Sequence, residues 1–262
     1  MENFSVKELK KLYVPPAFSH KGQNGKLMII GGSVLFHTAS LWALEVASRI
    51  VDMVFYSSVV QNNEIVARQK EAFRNGIIIQ RDKIENYIEE ADCVLIGPGL
   101  PREKGEEKGD DDTKELSQRL LVKYPDKKWV VDGGSLQVIS PEILPKTAII
   151  TPHMGEFEKL FNFKSNTSGK IPQLQNKVYE MAGKYNCTIL LKGQEDIIAD
   201  KDKSVTIKGG NAGMTKGGTG DVLAGLTASL YCKNDAFLSA ACASYINKKA
   251  AEGLYKKMGI YY

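Results

Sequence analysis

The sequence predicts an α/β protein in which a mostly parallel sheet carries helices on both faces. Two observations support this: short runs rich in strand-forming residues alternate with stretches of helical periodicity, and several of those runs end on glycine or polar residues. Strands are expected at Leu27 to Ile30, Met53 to Val60, Ile77 to Gln80, Cys93 to Ile96, Trp129 to Val131, Ala148 to Ile150 and Cys187 to Leu191. Helices are expected between them. Ala39 to Ile50 places Leu41, Leu44, Ala47 and Ile50 every three residues, and Asp82 to Glu90, Thr113 to Lys123 and Gln173 to Tyr185 have helical character. Pro15 and Pro16 give an extended N-terminal lead-in. Arg102 to Asp112 (REKGEEKGDDD) has no apolar position and is expected to be a solvated surface loop, with a mobile lid as the weaker alternative.

Bulk properties narrow the class. A chain of 262 residues, 43% hydrophobic and 25% charged, can bury a sizeable core, and without repeats, linkers or composition shifts residues 1–262 are read as one domain. The formal charge of +4 suits anionic small ligands and falls short of a nucleic-acid-binding signature. Cys93, Cys187, Cys232 and Cys242 are widely spaced, form no CxxC pair and read as buried thiols of a reducing compartment. No signal-peptide pattern and no membrane-length apolar run is found, so a cytoplasmic protein acting away from membranes is expected.

Candidate chemistry lies where strands stop, because ligands of open parallel sheets gather outside the carboxyl ends of the strands. Four such ends stand out: Gly31-Gly32-Ser33, Gly97-Pro98-Gly99, Thr151-Pro152-His153 and Lys192-Gly193. Any one of them could be a plain turn into a helix, whereas four together favour a site. The sharpest feature is Gly209 to Gly225, GGNAGMTKGGTGDVLAG, a glycine-rich loop that runs into the apolar stretch Val222 to Leu230. Glycines let N–H groups approach an anion, and the following helix adds unpaired donors and the positive end of its dipole, so this loop can hold a phosphoryl group. Asp221 would repel a phosphate unless it has another task. Taking a proton from a substrate hydroxyl is such a task, and the competing reading is a first-turn acid stabilised by the dipole. No GxxxxGK[ST] occurs, and isolated GxG fragments do not make a dinucleotide fingerprint.

These residues resemble the ADP- or ATP-dependent NAD(P)H-hydrate dehydratases of the ribokinase-like superfamily. The similarity runs through His20 to Ser33 (HKGQNGKLMIIGGS), Gly97 to Leu100 (GPGL), Thr151 to Leu160 (TPHMGEFEKL), Lys192-Gly193 and Asn211 to Gly225 (NAGMTKGGTGDVLAG). GGTGD alone marks the superfamily, and its combination with HKGxxG…GGS and TPHxGEF marks the dehydratase branch. The resemblance implies a ribokinase-like three-layer sandwich, frequently a homotetramer, with Mg2+ supporting the nucleotide. Ala39, Gly99, His153 and Asp221 match substrate-binding positions. Lys192, Gly193, Gln194, Glu195, Asp196, Gly217, Gly218, Thr219 and Gly220 match the segments that hold the adenine nucleotide, and Asp221 matches the catalytic aspartate.

Three departures accompany the match. Thr38 stands where relatives usually carry a glycine, Asp196 where many carry a threonine, and Asp132 to Leu136 reads DGGSL in place of a DADAL-like segment, with Gly134 replacing the second aspartate.

The implied reaction dehydrates the S form of hydrated NADH or NADPH, with ADP or ATP consumed to AMP or ADP plus phosphate. It makes chemical sense because hydroxide leaves poorly and phosphate leaves well. Asp221 would be the general base, the GGTGD amides and Mg2+ would stabilise the transferring phosphoryl group, and Lys192 would bind nucleotide phosphate as a point charge. Glu156 could order Mg2+ through water or serve as a first-turn helix acid. Two other readings remain open, a vitamin-precursor kinase of the same superfamily and a non-catalytic adenine-nucleotide sensor. The epimerase domain fused to some relatives does not fit in this length and would be a separate protein.

Overall fold

The computed structural model describes residues 2–69, 76–102, 107–164 and 171–259. Among the described residues ten strands form one sheet: β1 (Glu2–Asn3), β2 (Lys26–Ile30), β3 (Met53–Ser57), β4 (Ile77–Ile78), β5 (Cys93–Ile96), β6 (Lys128–Val131), β7 (Ala148–Ile150), β8 (Thr188–Leu191), β9 (Asp196–Ala199) and β10 (Ser204–Ile207). Their order is β1-β10-β9-β8-β7-β6-β5-β2-β3-β4. Every pairing is parallel except those of β9 with β8 and with β10. The nine helices among the described residues are α1 (His37–Ala47), α2 (Val60–Gln69), α3 (Ile84–Glu90), α4 (Thr113–Lys123), α5 (Gly133–Val138), α6 (Met154–Leu160), α7 (Ile171–Tyr185), α8 (Thr219–Tyr231) and α9 (Ala236–Met258).

Strand alternation explains why both faces are covered. Met28, Ile30, Val94, Ile96, Trp129 and Val131 point to one face, where α3 to α7 bring Ile88, Leu120, Leu136, Phe157 and Val178. Leu27, Ile29, Cys93, Leu95 and Val130 point to the other, where α1, α2, α8 and α9 bring Leu44, Val66, Leu223 and Ala240. The central strands therefore read as continuous apolar runs. The expected three-layer arrangement is the observed one.

Helices α1 and α8 pack closely because α8 offers no side chain at Gly225. A Cβ there would lie 2.7 Å from the Ala43 Cα and carbonyl oxygen. Gly225→Val is expected to wedge these helices apart at a cost of about 1–3 kcal/mol. At about 2–4 °C per kcal/mol for a chain of this size, thermal unfolding should show a fall of several degrees.

The sequence expectations fail at identifiable places. β3 stops at Ser57, and Val60 opens α2, so the expected strand Met53 to Val60 is too long; β-branched Val59 and Val60 imitate a strand beside a genuine one. The strand expected at Ile77 to Gln80 is confined to Ile77–Ile78, and Arg81–Lys83 turns directly into α3. β9 and β10 were not expected from the sequence. They form a hairpin across Asp200 to Lys203, where Asp200 accepts N–H bonds from Asp202 and Lys203, each at 2.8 Å. Of the charged segment Arg102 to Asp112, residues 103–106 lie outside the described residues. Arg102 and Glu107 to Gly109 are exposed as expected, whereas the last three residues are engaged: Asp110 accepts the Val34 N–H at 2.8 Å, Asp111 pairs with Arg81 at 2.7 Å and Asp112 caps α4 through the Glu115 N–H.

Candidate active site

The parallel strands deliver their carboxyl ends to one edge of the sheet, and hydrogen bonds continue across that edge after the strands stop. Gly32 N–H donates to the Pro98 carbonyl at 2.7 Å, Gly97 N–H to Ile30 at 3.1 Å, Asp132 N–H to Ile96 at 3.0 Å and Lys192 N–H to Pro152 at 2.8 Å. The strand-end motifs thus sit side by side in sheet order. Asp132, Thr151, His153 and Lys192 are neighbours there, although they are far apart in the chain.

Opposite them stands the entrance to α8. Gly218 caps this helix in the left-handed conformation, φ +97°, and a Cβ on it would lie 2.3 Å from the Trp42 ring. Both constraints demand glycine. Asp221 follows in the first turn of α8, and Lys192 Nζ lies 3.5 Å from where a Cβ on Gly220 would stand. Gly218→Ala is expected to push Trp42 away and tilt this turn, lowering turnover more than it lowers the unfolding temperature. Parallel kinetic and thermal measurements on the variant check this.

Lys192 neutralises the centre. Its ammonium reaches Asp132 Oδ1 at 2.8 Å and Glu156 Oε2 at 4.0 Å, and Thr151 adds a hydroxyl bond to Asp132 Oδ1 at 2.8 Å. Burial alone would lower the lysine's pKa, but the charges of Asp132, Glu156 and Asp221 outweigh burial and hold it above the usual value. Asp221 behaves oppositely. Burial, then repulsion from Asp132, drives it from the ordinary 3.8 to about 7, against the pull of Lys192. A carboxyl poised near neutrality at a helix entrance can exchange a proton with a ligand hydroxyl.

His153 and Glu156 form a reciprocal capping box at the start of α6: Glu156 N–H donates to His153 Nδ1 at 3.2 Å, and His153 N–H donates to Glu156 Oε2 at 2.9 Å. With Nδ1 accepting, a neutral ring carries its proton on Nε2. The imidazole is more than half exposed at the sheet edge, its Nε2 3.6 Å from Glu156 Oε1.

On the other flank Gly99, φ +72°, lies against α1. A Cβ there would fall 3.0 Å from the Ala39 Cβ and 3.1 Å from the Gly32 Cα. Ala39 and Gly99 therefore lie against each other, and Trp42, one turn further along α1, packs against Gly218 of the α8 loop. Trp42 was not singled out from the sequence, because a tryptophan inside an apolar helix looks like core.

Beside the α8 entrance lies a cavity of about 570 Å³, a size suited to a nucleotide. Of the positions matched to nucleotide binding, Lys192, Gly193, Gln194, Asp196, Thr219 and Gly220 line it. Glu195 instead reaches toward Lys208 at 3.5 Å, and Gly217 and Gly218 do not line the cavity. Asp196 is 4% exposed and turned inward. Gly209, Gly210 and Lys248, none of them among the positions matched to nucleotide binding, also line it.

A sheet whose strand ends face a glycine-rich helix entrance with an aspartate in its first turn has the ribokinase-like fold, shared with a ribokinase-like superfamily protein of Enterococcus faecalis at a TM-score of 0.82 and 22% identity, over 97% of this chain and 88% of that one. Within that fold class the chain belongs to the NAD(P)H-hydrate dehydratase family, whose model matches residues 27–262. It is 36% identical to a bifunctional NAD(P)H-hydrate repair enzyme of Methanocaldococcus jannaschii over 97% of this chain and 49% of that protein. It is 33% identical to an ADP-dependent (S)-NAD(P)H-hydrate dehydratase of Nitrosopumilus maritimus, over 97% of this chain and 90% of that one. The chain thus spans about half the length of several curated relatives it matches. Among solved structures, an ADP/ATP-dependent NAD(P)H-hydrate dehydratase of Bacillus subtilis, co-crystallised with ATP and Mg2+, superposes with a TM-score of 0.80 at 23% identity, covering 99% of this chain and 92% of that one. No helix among the described residues is long and apolar enough to cross a membrane.

Proposed function

We propose that this chain is an ADP- or ATP-dependent dehydratase that removes water from the S form of hydrated NADH or NADPH. The observation that carries the reading is Asp221, held near neutrality in the first turn of α8, next in the chain to Gly220 of the cavity wall and within electrostatic reach of Asp132, Lys192 and Glu156. The nucleotide would occupy the cavity, its terminal phosphoryl group resting on the first-turn amides of α8 beside Lys192. The nicotinamide end of the substrate would lie against Ala39 and Gly99, with His153 Nε2–H as a donor at its rim.

Asp221 takes the proton of the ring hydroxyl as that oxygen bonds to the terminal phosphorus, and the bond from phosphorus to the leaving AMP or ADP oxygen breaks. The carbon–oxygen bond of the resulting ester then breaks toward phosphate, helped by the ring nitrogen lone pair, and loss of the neighbouring carbon's proton restores the double bond. Lys192 offsets the charge gathered by Asp132, Glu156 and the phosphates.

Mg2+ would neutralise phosphoryl oxygens. It is held mainly by phosphates and water in such sites, and Glu156 fits the task of ordering that water shell, because its Oε1 has no partner nearer than Gln137 at 3.5 Å. A homotetramer, as the family resemblance implies, a cytoplasmic location and the absence of nucleic-acid partners belong to the same proposal.

The decisive assay incubates purified protein with hydrated NADH, Mg2+ and either ADP or ATP. Return of reduced-nicotinamide absorbance with stoichiometric inorganic phosphate is expected. A stable phosphate ester would instead identify a small-molecule kinase.

A further inference from the structure

Helix α9 carries a polar edge in an otherwise apolar interior. Ser244 and Lys248 are one turn apart and Glu252 follows after another turn; Lys248 lines the nucleotide-sized cavity, Ser244 reaches Asp196 and Glu252 reaches Gly210. Lys248 is 3% exposed and Ser244 is fully buried. Lys248 Nζ donates to the carbonyls of Gly193 at 3.1 Å, Gln194 at 3.0 Å and, more weakly, Gly209 at 3.5 Å, and it lies 3.3 Å from Asp196 Oδ1. The remaining capacity of Asp196 is taken by the Gly193 N–H at 2.9 Å and the Ser244 hydroxyl at 2.7 Å. Glu252 accepts the Gly210 N–H at 3.2 Å, and Asn211 donates to the Ala251 carbonyl at 2.9 Å.

We infer that the buried Asp196–Lys248–Ser244 cluster is a clamp that fixes the two turns walling the nucleotide cavity, and that Lys248 is a positioning residue for nucleotide affinity. The inference rests on the nucleotide assignment of that cavity and deepens it. An ammonium has three donors and no acceptor. Here its donors point at carbonyls from two turns that are separated in the chain, so one side chain ties both to the same helix. Bonds of this kind fix the Gly193 and Gln194 carbonyl dipoles toward Lys248 and leave the N–H sides of those two peptides for an anionic ligand, while the N–H of the Gly209–Gly210 peptide is held by Glu252.

The departure at Asp196 becomes intelligible in the same terms. A carboxylate that replaces a threonine inside the protein needs a counter-charge, and Lys248 supplies it. Asp196 therefore acts through the wall of the cavity rather than on the ligand. The cluster is fully partnered, the condition under which a buried polar network specifies one geometry instead of weakening the core.

The test compares wild type, Lys248→Met and the neutralised double variant Asp196→Asn/Lys248→Met by equilibrium dialysis with ADP and ATP, alongside kinetics with hydrated NADH. Each protein's thermal transition is recorded first. The expected result is a weakening of ADP and ATP binding by about tenfold or more in Lys248→Met, equivalent to about 1.4 kcal/mol. Nucleotide KM should rise in parallel, while kcat at saturating nucleotide and KM for hydrated NADH stay within about twofold, a split that a general loss of structure would not produce. If Lys248→Met does not fold, the double variant, which leaves no unpaired buried charge, decides in its place. Wild-type nucleotide affinity in a folded variant overturns the clamp, and so does an equal loss in kcat and in both KM values. Failure of the wild type itself to bind either nucleotide overturns instead the assignment of the cavity, and the clamp with it.

Discussion

Asp221→Asn is expected to abolish turnover while leaving nucleotide binding within a few-fold of wild type. The substitution keeps the shape and the position in the first turn of α8 and removes only the ability to take a proton. General-base assistance is worth about 10²–10⁴ in rate, so initial-rate measurements should fall by at least the lower figure. In the wild type, only the ionised carboxylate can act as a base. Because burial and Asp132 raise Asp221 to about 7, kcat/KM should climb with pH through that value and level off above it.

Stability should move the other way. A carboxyl whose folded pKa lies above its unfolded value favours the folded state most at low pH and loses that contribution as pH rises through about 7. The asparagine variant has no such loss, so its thermal midpoint should exceed that of wild type at pH 8 by more than at pH 4. Full activity in the variant would remove Asp221 from the chemistry. A midpoint difference independent of pH would show that the carboxyl is not strained by its surroundings.

How much of this was legible in the sequence depends on the range over which each signal acts. The core strands β2, β5 and β7 are isolated apolar runs that stop at glycine, proline or threonine, so local pattern suffices for them, and α4 is bounded by Asp112 and by the loss of periodicity after Lys123. The GGTGD loop is legible for the same reason, since its function resides in consecutive backbone. By contrast, α2 hides behind Val59 and Val60, whose branching resembles strand, and the β9–β10 hairpin carries turn chemistry only at Asp200 and Asp202, between charged residues that read equally well as surface loop.

The parts of the site that stayed hidden are those made by distant partners. Trp42, Lys248 and Ser244 sit in helices whose composition says only that they are buried, and nothing within several residues of Lys248 foretells that Asp196 lies against it. The inward turn of Asp196 and the capture of Asp111 by Arg81 are likewise facts of tertiary packing. A motif match fixes which positions are near a ligand. It does not decide which side chains touch the ligand and which brace those that do.

Lys192→Met is expected to have the second large effect, and it separates the structural from the chemical duty of that lysine. With the ammonium gone, Asp132, which is 3% exposed, keeps the Thr151 hydroxyl but loses its counter-charge. Removing one member of a buried pair costs about 3–5 kcal/mol, and a clear drop in thermal midpoint should follow. Asp221 loses the one positive neighbour that holds it down, so the acid limb of kcat/KM should shift upward from about 7 by about one unit or more. Adding Asp132→Asn to this variant withdraws the stranded negative charge. The midpoint should then largely recover and the acid limb should return part of the way, because Asp132 is also the principal repelling charge on Asp221. Turnover should not recover, since no methionine can offset charge on a transferring phosphoryl group. Recovery of both together would mean that Lys192 serves only to balance Asp132, and the phosphate would then depend on the α8 amides alone.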